Sequence, residues 1–252
     1  MMKKLVLKNL IQTGVAILFL LAVWWLAYHS VGNDLLIPPL SKSLKEVGGL
    51  LVKAAFWRAL AGTLLRALIA FAISFLLAVF FAVIAYLLPW FERFFAPLVS
   101  VLRSMPILAV LLILLAFLDA GRAPIAVAFL SLFPMLYAGV LAALSGVDSH
   151  LIEVSRVCGT PLWRRVTAIY LPLSSPYILK EGAAALSFSL KLVVSAEVLS
   201  FTAKSLGGMM QDAKVYAEIP QLFALVGVTF VVGLILETAL GLVATIMERK
   251  VK

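Results

Sequence analysis

"DSHLIEVSRVCGTPLWRRVTAIYLP", Asp148 to Pro172, is a polar stretch set between two long apolar ones. Its local chemistry predicts two short helices joined by a hinge. Asp148 or Ser149 can cap the first, and Glu153 lies near its electropositive end. Gly159 is the stop, because glycine accepts the left-handed conformation that ends helices. Thr160 is the expected cap of the second helix, with Pro161 at its first position, where no amide hydrogen is needed. Leu162, Val166, Ile169 and Leu173 recur at helical spacing and leave Arg164 and Arg165 on another face. Pro172 should end this helix, and Ser175–Pro176 should restart the chain.

The flanks explain where such a loop can sit. The chain has 252 residues, 64% hydrophobic and 13% charged, whereas soluble domains are nearer half apolar and a quarter charged. A hydrocarbon core of about 30 Å needs roughly 20 apolar residues per helix. The length therefore accommodates about six spans and short loops, with no room for a separate soluble domain. The expected spans are 10–28, 59–87, 97–118, 123–145, 176–199 and 220–246, with Pro124, Pro176 and Pro220 where helices begin. The first apolar run follows Lys3, Lys4 and Lys8. Its length, and the lack of a small-x-small site before "HSVGNDLLIPP", favour an uncleaved helix over a signal peptide. Residues 38–58 mix Leu, Val and Phe with lysines and read as an interfacial amphipathic helix. The fold class is thus all-α: a polytopic membrane protein with six transmembrane helices, one domain over 1–252, and 148–172 as a loop within it.

The formal charge is +9, but the basic residues lie between apolar runs, not in one cluster. Membrane topology explains them better than nucleic acid does. With the N-terminus in the cytoplasm, eleven Lys and Arg fall on the inner side and seven on the outer, leaving Arg66, Arg103 and Lys191 within spans. Both termini and the 146–175 loop are then cytoplasmic. The single cysteine, Cys158, excludes an internal disulfide and reads as a small packing residue. His29 and His150 lack the clustering of a metal site. No G-x-x-x-x-G-K-[ST] loop occurs, and no catalytic constellation is visible. The chain carries no conventional ATPase site of its own and does not read as an enzyme.

Glu153, Gly159 and Ile169-Tyr170-Leu171-Pro172 stand at the spacing of the "EAA" loop, and the segment resembles that loop of membrane subunits in ATP-binding-cassette importers. Val154 and Ser155 replace its two alanines. "LRSMPILAV" (102–110), "FPMLYAGVLAALSGVD" (133–148), "VSAEVLSFTAKSLGG" (194–208) and "MERK" (247–250) are similar to the nitrate/sulfonate/taurine permease branch. The chain departs from that branch at "AFLDAG" (116–121), usually Trp-Phe-Gly, and at Ser205-Leu206-Gly207-Gly208, usually Gly-Leu-Gly. The resemblance implies a type I importer permease fold in the bacterial cytoplasmic (inner) membrane. It also implies coupling to an ATPase through Glu153, Val154, Ser155, Gly159, Leu162, Trp163, Ile169, Leu171 and Pro172. The implied partners are a second copy of the chain, two ABC ATPase subunits and an extracytoplasmic substrate-binding protein. No cofactor is expected on this chain, since ATP and Mg would be bound by the ATPase. The implied solute is a small anion such as a sulfonate, taurine or nitrate.

Ionisable residues within spans cost roughly 2.5–3.5 kcal/mol each on insertion scales and usually face a cavity or partner. Arg103, Lys191, Glu197 and Glu237 are the candidates for a pathway or gate. Lys191 and Glu237 can equally form a structural pair between the last two spans, and Arg66 and Arg103 can snorkel. Glu197 sits near the outer end of the fifth span, where it can contribute to an outer gate or snorkel. Gly207 and Gly208 suggest a tight turn before the sixth span, and Gly227, Gly233 and Gly241 suggest close helix packing. A competing class is a secondary transporter driven by an ion gradient, with Glu237 and Lys191 as relay. A membrane scaffold without transport is a third, and it leaves the ordered loop idle.

Overall fold

The structure is a computed structural model that describes residues 15, 18–19, 21–34 and 36–251. Most of the first expected span, 10–28, lies outside the described residues, although 21–31 are helical and are called α1 here. The chain then runs through α2 (Leu40–Val52), α3 (Ala54–Leu87), α4 (Pro89–Ser104), α5 (Ile107–Leu115), α6 (Ala123–Ser145), α7 (Ser149–Val157) and α8 (Leu162–Arg165). A π-helical turn, Val166–Tyr170, leads into α9 (Leu171–Ser200), followed by α10 (Leu206–Val215) and α11 (Ile219–Val251). No strand occurs among the described residues. By length and composition, four straight helical stretches can cross a membrane: α3, α6, Leu162–Ser200 and Ile219–Ile246. A bent pair, α4 and α5, makes a fifth crossing possible.

Small residues decide how closely these helices approach. The buried face of α3 carries Ala59, Thr63, Ala67, Ala70, Ser74, Ala78, Ala82 and Ala85, a stripe at steps of three and four. In lipid, where apolar burial between helices gains little, such stripes allow backbones to come close enough for dispersion and polar contacts to act. α3 packs along this stripe on α6 and α9, and Ser189 Oγ donates to the Ala67 carbonyl across it (2.8 Å). α9 is the most buried span and α11 the least. An aromatic stack of Phe81, Phe91 and Phe95 against Phe133 and Tyr137 ties α3, α4 and α6 together. Beside the spans, Trp24 of α1 meets Phe223 of α11. Lys42 of α2 donates to Asp34, a bond that holds the Asp34 carboxyl below its ordinary value.

Four expectations are corrected. The straight third span over 97–118 is instead α4 and α5, bent by 88°. Pro106 supplies no amide donor and drives Met105 into extended backbone (φ −68°, ψ 130°), whereas Pro97 is tolerated inside α4. The interfacial helix ends at Val52, and extended Lys53 starts the second span at Ala54, earlier than 59. Pro172 does not end its helix, because the preceding π-helical turn widens the backbone where the proline ring would clash. The helix then runs unbroken from Leu162 to Ser200. Ser175 Oγ donates to the Pro172 carbonyl (2.8 Å), an acceptor that Pro176 cannot satisfy. Finally, a Cβ added at Gly227 or Gly241 of α11 would meet nothing within 4 Å, and only Gly233 of those three faces a neighbouring helix closely, at Ser187 and Leu190 of α9.

Candidate functional site

Two ends of α9 carry the polar chemistry. At its start lies the elbow formed by residues 148–172. Asp148 caps α7 by accepting from the His150 amide (2.9 Å). At the other end of α7, Gly159 is left-handed (φ +67°). Its amide donates to the Arg156 carbonyl and the Thr160 amide to the Ser155 carbonyl, both at 3.0 Å. This is the paired bonding of a Schellman stop, which satisfies two carbonyls that the helix would leave open. Thr160 does not cap α8; extended Pro161 occupies the cap position and makes no side-chain bond there.

The elbow has an anchored face and a bare one. Ile152 and Ser155 are buried, and Tyr170 is buried with its ring set edge-on to Tyr86 of α3, 5.0 Å between centroids. Leu151, Val154, Val157, Leu162 and Trp163 are exposed, Val157 to 89% and Trp163 to 64%. The Arg164 guanidinium lies over the Trp163 ring at 5.3 Å. Of the residues expected to act together, Glu153, Val154, Gly159, Leu162, Trp163 and Pro172 are exposed, Ile169 and Leu171 half-buried, and Ser155 faces inward. Cys158, expected as packing, is also exposed. Behind the elbow lies a cavity of about 790 Å³, lined by Gly139, Gly146, Asp148, Leu151, Tyr177 and Glu181 among others. Arg156 and Arg164 are exposed beside these apolar side chains.

Roughly 39 Å along the helix axis, at 1.5 Å per residue, the far end of α9 holds a clamp. Glu197 is wholly buried. It accepts from Arg66 Nη1 (2.9 Å) and Thr63 Oγ1 (2.8 Å) of α3, and from the Gly207 amide (3.2 Å) at the start of α10. Thr63 Oγ1 in turn accepts from the Leu206 amide (2.9 Å), and Ser205 Oγ from the Gly208 amide (2.8 Å). The first three amides of α10 are therefore satisfied, and a carboxylate sits where the helix dipole favours one. Gly207 and Gly208 are not a turn but the opening of α10. A Cβ on Gly207 would come within 2.4 Å of Glu197 Cβ, and one on Gly208 within 2.2 Å of the Thr202 carbonyl. Glu197 thus joins three helices and does not snorkel.

The remaining charges are not gathered. Lys191 and Glu237 are both exposed, and no ion pair or hydrogen bond joins them. The structural pair between the last two spans is therefore absent within one chain. Arg103 is exposed at the end of α4, beside a groove against α6. Sequence reasoning missed Thr63 and the pairing of Arg66 with Glu197. The available signal was depth: opposite charges about equally far from the same membrane face in two different spans.

Long apolar helices around a buried small-residue seam define a polytopic membrane fold, and its capped elbow leaves apolar side chains exposed. Residues 74–252 match the family model described as "Binding-protein-dependent transport system inner membrane component", and the chain belongs to that family. A probable ABC transporter permease protein of Brucella melitensis is 27% identical over 74% of this chain and 73% of its own length. The taurine transport system permease protein TauC of Escherichia coli is 24% identical over 88% and 82%. Among solved structures, a bacterial alginate ABC transporter in complex with a periplasmic protein shares the fold, with a TM-score of 0.67 over 94% of both chains at 16% identity. The chain is accordingly an ABC transporter permease subunit of importer type, a multi-pass protein of the inner membrane.

Proposed function

We propose that this permease imports a small anion, a sulfonate such as taurine or a related oxyanion such as nitrate, using ATP hydrolysed by a partner. Two copies would form the path, two ATPase subunits would grip the two elbows from the cytoplasm, and an extracytoplasmic binding protein would deliver solute. Both termini would then be cytoplasmic. ATP and Mg would belong to the ATPase, with no cofactor on this chain. The elbow carries the reading: an apolar face held rigid by a Schellman stop at one end and by Tyr170 at the other. A lever must transmit displacement, and coupling of this kind requires differential contacts in two states. The taurine relative supports the solute class, and the arginine-rimmed elbow supports a partner carrying carboxylates beside its apolar groove.

The test is reconstitution with candidate ATPase and binding-protein subunits in liposomes. Nucleotide-dependent, vanadate-sensitive uptake of taurine or an alkanesulfonate is expected. Uphill uptake by vesicles holding this chain alone would overturn the reading in favour of an ion-driven transporter.

A further inference from the structure

α4 and α6 leave a groove of about 420 Å³ between them. Its polar lining is Glu92, Ser100 and Arg103 from α4, and Tyr137 and Ser145 from α6. The rest of its wall is alanine, valine and leucine. Residues 92, 96, 99, 100 and 103 follow steps of three and four, so they share one face of α4. Arg103 makes no ion pair or hydrogen bond, and neither does Glu92. In the wall behind the groove, Tyr137 Oη is buried without a partner. Glu197, also within a span, is by contrast buried and receives three donors. An unpaired guanidinium beside a groove in a membrane helix is a candidate ligand contact, and its planar fork matches an oxyanion better than an ammonium would.

We propose that this groove is a solute-contacting station of the permease, which takes a small oxyanion head group at Arg103. The proposal rests on the import reading above and deepens it. Arg103 and Glu92 lie eleven residues apart, roughly 16 Å along the helix. A two-carbon aminosulfonate is far shorter than that, so one molecule cannot engage both ends at once. The anion is recognised at Arg103, and Glu92 marks the other end of the groove. The competing role for Arg103 is purely structural, complementing the dipole at the C-terminus of α4.

A labelling experiment separates the two. In a Cys158→Ser background, Ser100→Cys places one thiol on the groove wall of the full transporter in liposomes. The sulfonatoethyl methanethiosulfonate reagent should modify this thiol about fivefold faster, relative to the trimethylammonioethyl reagent, than in an Arg103→Gln partner variant. Arg103→Lys, which keeps the charge, should retain most of the preference. Methanesulfonate should protect the thiol, and neutral dimethyl sulfone should not. Equal protection by both compounds, no protection by methanesulfonate, or protection that survives Arg103→Gln would overturn the station. Labelling does not depend on ATP-driven uptake. Protection without nucleotide-dependent transport would therefore sink the import reading while leaving the anion site standing.

Discussion

The elbow and the clamp sit at opposite ends of one helix and solve opposite problems. In the clamp, a carboxylate, a guanidinium, a hydroxyl and two backbone amides close on one another. In the elbow, α7 is capped at both ends, yet the side chains of Val154, Val157, Leu162 and Trp163 are left exposed. One end closes on its own fold; the other leaves apolar side chains exposed. The difference teaches where tolerance to substitution should lie. Side-chain changes in the clamp should act on stability, and those on the bare face of the elbow should act on the coupling proposed for it.

The largest effect should come from Glu197→Ala. It strands the Arg66 cation and the Gly207 amide, and breaking a buried pair costs about 3–5 kcal/mol, here at the low end because Arg66 is partly exposed. Thermal unfolding of the detergent-solubilised protein should show the loss, and a melting temperature like the parent's would break the contrast. Next is Gly207→Ala, whose Cβ meets Glu197 and the Val194 carbonyl. Overpacking there should cost about 1–3 kcal/mol and lower protein abundance, whereas Gly227→Ala, in open space, should not. Ser175→Ala removes the donor to the Pro172 carbonyl, worth about 1 kcal/mol, and sharpens the comparison by weakening the joint between elbow and span. Trp163→Ala and Glu153→Lys should change stability by no more than about 0.5 kcal/mol, since both side chains are exposed. Uptake and co-purification of the ATPase should nevertheless fall together. Unchanged uptake in both variants would remove the elbow from the mechanism.

Much of the elbow was legible from its residues. Asp148 and Gly159 act through local hydrogen bonds and a single dihedral angle, so their roles can be read within a few positions. The errors came where local rules met long-range context. Pro172 reads as a helix end, and a π-helical turn five residues long absorbs it instead. Pro106 was not read as a break, and it turns the third span through a right angle. Glu197 reads as a gate or a snorkelling charge, because its partners Thr63 and Arg66 lie more than a hundred residues away.

Composition and period alone determined that this chain is an all-helical membrane protein with a capped hinge at 148–172, because apolar length and caps are local quantities. Which charges meet was decided by the tertiary structure. A stripe of alanines lets α3 approach α9, and only that closeness brings Arg66 to Glu197 while leaving Lys191, Glu237 and Arg103 without a partner in the chain. Pairing in a membrane depends on depth and facing of separate helices, and neither is written in any one segment.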